Sequence, residues 1–254
     1  MSTLYIDIET LPEEAYPDMP HGTAPGWSRP DASTFFVEPA RRTVPSSYKK
    51  AETVARWEAN EDERHAAAIF DAVNAAELAV DEDRDAAWES WKKGSLSPMT
   101  GRIACISMAF DDEAVEVIEC AEDEAAGLLE MGDRLRRPAI IVAHNGHGFD
   151  FEWIWKRSMK HRFPKLAAWF RQPKPWDDQL LDTLMIWNNG ARHNKRGTLD
   201  ALCKFLDVKR APSAIDGAGV LDAYISGRWH EVVEHAAADI EDLREIYLRL
   251  REAT

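Results

Sequence analysis

Residues 139–150 read Ala139-Ile140-Ile141-Val142-Ala143-His144-Asn145-Gly146-His147-Gly148-Phe149-Asp150. Five small or branched apolar residues make a run of strand length, an asparagine and two glycines supply a turn, and 151–160 continues at helical spacing. A strand that passes straight into a helix is the building unit of an α/β sheet. Upstream, 102–110 (RIACISMAF) and 114–120 (AVEVIEC) flank Asp111-Asp112 and predict an antiparallel hairpin. Residues 3–8 alternate as a short buried first strand that ends in acids before the Leu11-Pro12 break. Helices are predicted over 122–136, 198–206 with Thr198 as cap, and 231–251, while 181–187 reads as strand or helix. A hairpin followed by strand-helix alternation predicts an α/β fold, a mixed sheet flanked by helices.

Between the first strand and the hairpin the composition changes twice. Seven of the 13 prolines fall in 11–47, which excludes helix or central strand and predicts a long irregular excursion. In 48–95, alanine and charged residues with Trp57, Ile69, Val73, Leu78, Trp88 and Trp91 at helical spacing predict two or three inserted helices. The whole chain, 1–254, reads as one domain carrying that insertion.

With 45% hydrophobic residues the chain can bury a core, and three scattered cysteines without CxxC spacing exclude a disulfide framework or a structural zinc site. A reducing, cytoplasmic setting is expected, with no secretion signal and no membrane span. The 31 Lys and Arg against 45 Asp and Glu leave a net charge of −14. That charge argues against a non-specific electrostatic grip on phosphates, so any nucleic-acid chemistry has to be local or metal-mediated.

Asp7 and Glu9 are two apart on a strand and project from one face, where like charges repel unless a cation lies between them. Asp-x-Glu recurs at Asp111 and Asp239, so the pair gains weight only from its position at the end of a core strand. His144 and His147 have no further His or Cys at ligand spacing, which argues against zinc. Asn145 reads equally as a turn former and Asp150 as a helix cap. His235 and Asp239 share a helix face, and Ala236-Ala237-Ala238 lets that helix approach a strand closely. Four carboxylates from three segments beside a histidine have the composition of a two-metal phosphoryl-transfer site.

Asp7-Ile8-Glu9-Thr10, then Asn145-Gly146-His147-Gly148-Phe149-Asp150, then His235 to Asp239 resemble, in that order, the three motifs of the DEDD 3′-to-5′ exonuclease superfamily. The middle motif is most similar to family B DNA polymerase proofreading domains and related stand-alone exonucleases. Ser97-Pro98-Met99-Thr100-Gly101-Arg102-Ile103, Asp182-Thr183-Leu184 and Gly197-Thr198-Leu199-Asp200 support the likeness, which covers about residues 3–10 and 96–250. The resemblance implies a ribonuclease H-like, five-stranded mixed sheet. It also implies two Mg²⁺ or Mn²⁺ ions held by Asp7, Glu9, Asp150 and Asp239, with His235 as general base. Thr10, Asn145 and Phe149 are the substrate contacts it implies within the motifs. One departure stands out: His235 precedes Asp239 by four residues, the spacing of the tyrosine-type subfamily rather than the five of the histidine type. His230 and Asp242 are the other candidates for the base.

Residues 153–176 hold no acid, and Lys156, Arg157 and other basic residues alternate with aromatics there. Either a single-stranded track or an amphipathic helix with its tryptophans in the core accounts for this. Arg192 and Lys195 form a second basic stretch. The implied substrate is a DNA 3′ end. RNA is the alternative polymer, and a non-catalytic acidic module on the same fold is the rival outside enzymes. The insertion is a candidate surface for a polymerase or other replication or repair partner.

Overall fold

Five strands form one mixed sheet in the computed structural model, which describes residues 2–135, 140–171, 179–190 and 197–252. They are β1 (Thr3–Pro12), β2 (Gly101–Phe110), β3 (Glu116–Glu119), β4 (Ile140–Ala143) and β5 (Leu180–Asp182), in the order β3-β2-β1-β4-β5. β1 to β3 are antiparallel neighbours, whereas β4 and β5 run parallel to β1. The expected mixed sheet with helices on its faces is therefore present.

Parity along β1 divides its side chains between two faces. Leu4, Ile6 and Ile8 enter one core with Ile106, Ile118, Leu128, Phe151 and Trp153. That core is covered by α2 (Glu124–Arg134), α3 (Asp150–Lys160) and α4 (Pro164–Phe170). Tyr5 points the other way and packs with Val142, Ile240, Leu243 and Tyr247, the last three from the C-terminal helix α8 (Trp229–Glu252). A third cluster joins Leu202 and Cys203 of α6 (Leu199–Phe205) and Val208, which follows that helix, to Ile246 of α8. Cys105, Cys120 and Cys203 are all buried and unbridged.

β1 is longer than the sequence pattern predicts. It runs to Pro12, with a register shift between Glu9 and Thr10 where it pairs with β2. The bulge absorbs the break, and Pro12, which lacks an N–H, closes the strand. The 181–187 segment is both of its readings in turn, β5 followed by α5 (Thr183–Trp187), because Asp182 caps the helix by accepting from Leu184 N and Met185 N. Helices α4 and α7 (Val220–Ile225) carry no sequence signal of their own, since each is too short to show periodicity.

Two compact units divide the chain, one of Met1–Pro20 with Lys92–Thr254 and one of His21–Trp91. In the second, the expected two or three helices are a single helix, α1 (Ala51–Lys92). No glycine or proline occurs within those 42 residues, so nothing in the sequence breaks the helix before Gly94 and Pro98. The Pro-rich segment is tied to it by Arg42 N–H donating to Glu61, His65 bonding to the Pro39 carbonyl, and Trp27 Nε1 donating to Asp83. Arg64 and the Arg42 amide together hold the Glu61 carboxyl down at about 2. Among the described residues no helix is long and apolar enough to cross a membrane.

Candidate active site

The same parity that turns Tyr5 toward α8 carries Asp7 and Glu9 to that face of the sheet. Leu243 of α8 packs with Tyr5, and Asp239 and His235 lie one and two turns N-terminal to it on the same stripe of the helix. Ala236 and Ala238 are buried and small, which lets the helix lie close to the sheet. His235 Nε2 is 3.3 Å from Glu9 Oε1 and 3.9 Å from Asp239 Oδ2. One donor atom from each of Glu9, His235 and Asp239 lies within 4.8 Å of the others.

Asp150 arrives from the edge of β1. β4 pairs with β1 only as far as Tyr5 and ends at Ala143, where the chain turns at Asn145 with φ +60°. Beyond that point the β4 side of β1 is vacated, and Asp150 Oδ1 accepts the Ile8 N–H at 3.1 Å in place of a strand. Asp150 is the first residue of α3 rather than its cap, which is Phe149. Its charge is favoured at a helix N-terminus. Gly146 is required in the turn, since a Cβ there would meet the Phe151 ring at 2.6 Å and Ala143 Cβ at 2.8 Å. Asp182 holds the turn from below by accepting from Asn145 N and His147 N.

The four carboxylates repel one another. Burial, then Asp150, Glu9 and Asp239, push the Asp7 carboxyl well above the ordinary range. Burial followed by Asp239 and Asp150 does the same to Glu9, and burial takes Asp150 to about 7. Asp239 is raised by burial, tempered by His235 and Arg210. Asp7 Oδ2 is buried without a hydrogen-bond partner. An orphaned oxygen among hard anionic donors fits a divalent cation of the Mg²⁺ or Mn²⁺ kind.

Sequence reasoning missed Arg210, which has no periodic signal. Its guanidinium donates to Asp239 Oδ1 at 2.8 Å, Asp242 Oδ2 at 2.7 Å and Asp200 Oδ1 at 3.1 Å. Asp242, a fallback candidate for the base, is thereby committed, and it also accepts from Ala211 N. His230, the other fallback, is exposed and outside the cluster.

The expected substrate contacts divide. Arg157 is a correction: it is buried in an ion-pair network with Glu124 and Glu13, and its side chain is only 3% exposed. Helical spacing does not tell an inward from an outward arginine when an acid waits in the core. Lys156 is half-exposed and paired with Glu152. Trp153, Phe163, Trp169 and Phe170 belong to the core or pack on it, which decides their reading for the amphipathic helix. Thr10 Oγ1 donates to the Ser95 carbonyl at 2.6 Å, and the Phe149 ring lies 5.7 Å from that of Trp153. His144 is engaged by Thr183 Oγ1 and the Gly197 carbonyl. Arg192 and Lys195 lie outside the described residues.

Residues 94–251 match the family model of the RNase_H superfamily. The chain belongs to the ribonuclease H superfamily. Among solved structures 30 chains match. One is the family B DNA polymerase from the hyperthermophilic archaeon Pyrobaculum calidifontis, 16% identical with a TM-score of 0.45. The alignment covers 63% of this chain and 23% of the polymerase chain. No curated protein matches. Asp150, His235 and Asp239 fall within the matched residues, whereas Asp7 and Glu9, on the central strand β1, lie before them.

Proposed function

We propose that this ribonuclease H superfamily member is a metal-dependent 3′-to-5′ exonuclease that releases nucleoside monophosphates from DNA, with single strands favoured. The observation that carries the reading is the set of four mutually repelling carboxylates beside His235, one of them with an orphaned buried oxygen. The direction of digestion and the preference for DNA rest on the order and form of the three sequence motifs.

Asp7, Glu9, Asp150 and Asp239 would hold two divalent ions. When bound, such ions neutralise charge on the scissile phosphate and acidify water. The protein's own groups do the rest. His235 Nε2, facing Glu9 and Asp239, takes a proton from the water that attacks phosphorus. Asp182 and Gly146 keep the Asn145 turn in the shape that delivers Asp150. Arg210 fixes one oxygen of Asp239 and leaves Oδ2 toward His235.

The test is digestion of 5′-labelled single-stranded DNA and RNA with Mg²⁺ or Mn²⁺. A ladder that shortens from the 3′ end and vanishes in Asp239→Asn supports the reading. A stronger ladder on RNA would move the assignment to an exoribonuclease, and no metal-dependent cleavage of either polymer would sink it.

Arg210 also acts as a resident counter-charge. Arg210→Gln removes the guanidinium from both Asp239 and the buried Asp242. The expected cost in chelator is about 2 kcal/mol, the scale of a charged group stripped of a partner. Urea melts should show a smaller loss when Mg²⁺ is present, because the cation replaces the missing charge. An equal loss with and without metal would refute that coupling.

A further inference from the structure

Ser213 lies between α6 and α7, and its hydroxyl has three neighbours at hydrogen-bond distance. Oγ is 2.7 Å from the Ile215 carbonyl oxygen, 3.3 Å from Ile215 N and 3.2 Å from His235 Nδ1. A carbonyl only accepts, so the single hydroxyl hydrogen is committed to Ile215 O. The two remaining positions on Oγ are acceptors, and the Ile215 N–H fills one. Nδ1 of His235 therefore meets a lone pair and has to supply the hydrogen. In a neutral imidazole the other nitrogen then carries the lone pair. That nitrogen is Nε2, which faces Glu9 and Asp239.

We propose that Ser213 is a positioning residue that holds His235 in the Nδ1–H tautomer, so that Nε2 presents its lone pair to the acid cluster. Its catalytic consequence rests on the exonuclease reading, whereas the tautomer does not. The acids alone would favour the opposite arrangement, with a hydrogen on Nε2 donated to a carboxylate. The observed 3.3 Å to Glu9 exceeds the roughly 2.7–2.9 Å of such a charge-assisted bond. The contact between Ser213 and Ile215 O, at 2.7 Å, has the length of a formed bond. Gly217 of the same loop also comes near the imidazole: an added Cβ there would lie 4.0 Å from Nε2.

The experiment is nitrogen NMR of the full, metal-free chain with labelled histidine, under conditions in which the ring-nitrogen shifts report a neutral imidazole. The His235 signals are identified by their loss in His235→Gln. The wild type is expected to show a protonated Nδ1 and an unprotonated Nε2. Ser213→Ala should move the hydrogen to Nε2, and Ser213→Thr, which keeps the hydroxyl, should retain the wild-type pattern. A hydrogen on Nε2 in the wild type overturns the proposal, as does an unchanged pattern in Ser213→Ala or a lost one in Ser213→Thr. In digestion assays Ser213→Ala should lower kcat about 10-fold with KM unchanged, in line with other residues that orient a site histidine, and Ser213→Thr should restore it. Absence of cleavage by the wild type, with the Nδ1–H pattern intact, would overturn the nuclease reading and leave the hydrogen-bond assignment standing.

Discussion

Asp7→Asn is expected to lose metal-dependent cleavage by about 1,000-fold or more, and in chelator to melt above the parent chain. Both effects have one cause. Asp7 is crowded by Glu9, Asp150 and Asp239 and has one buried oxygen unpartnered, so its charge opposes folding until a cation arrives. An amide of the same shape removes that repulsion. Relief of about 1 kcal/mol would raise the melting midpoint by about 2–4 °C in a chain of this size. Metal at about 100 times its Kd should stabilise the wild type by about 2.7 kcal/mol and leave Asp7→Asn nearly unmoved. Melting curves in chelator and in Mn²⁺ check both statements. A variant that melts below the wild type in chelator would mean that Asp7 serves folding rather than function.

Arg157→Ala is expected to destabilise the chain by about 3–5 kcal/mol without impairing cleavage by the molecules that remain folded. Arg157 donates from Nε and Nη2 to Glu124, which also accepts from Ile103 N and meets His161 Nε2 at 2.7 Å. Removing the guanidinium leaves a buried carboxylate without its main counter-charge. Lys156→Ala is the comparison: its pair with Glu152 is half-exposed, and its loss should cost below about 1 kcal/mol. Chemical denaturation gives the stabilities. A selective rise in KM in Arg157→Ala would show that the side chain reaches substrate after all.

The sheet was legible because its strands announce themselves locally. The Asp111-Asp112 turn between two apolar runs, and the run 139–143 leading into glycines, depend on neighbours in sequence. The same holds for the Thr198 cap, whose hydroxyl accepts from Ala201 N. Where the reading failed, the deciding contact was distant. Nothing near Arg157 in sequence points to Glu124, 33 residues earlier. Nothing near Arg210 points to Asp239 and Asp242 on α8. The helical insertion was legible, but α1 was read as two or three helices rather than one, because the absence of breakers is a weaker signal than their presence. The four acids and His235 could be named from motif order alone, but the hydrogen on the imidazole depends on Ser213, which no motif includes.

The three thiols bear on how the molecule opens. Only a thiolate reacts readily, and burial raises Cys120 to about 12, Cys203 to about 11 and Cys105 well above its usual range. In the closed protein all three are shielded from alkylating reagents. Cys105 faces Glu9 across the β1–β2 ladder, Cys120 belongs to the core under α2, and Cys203 packs in the separate cluster between α6 and α8. Alkylation is therefore a clock with three hands, each set to the opening of a different layer, and no foreign probe has to be introduced to read it.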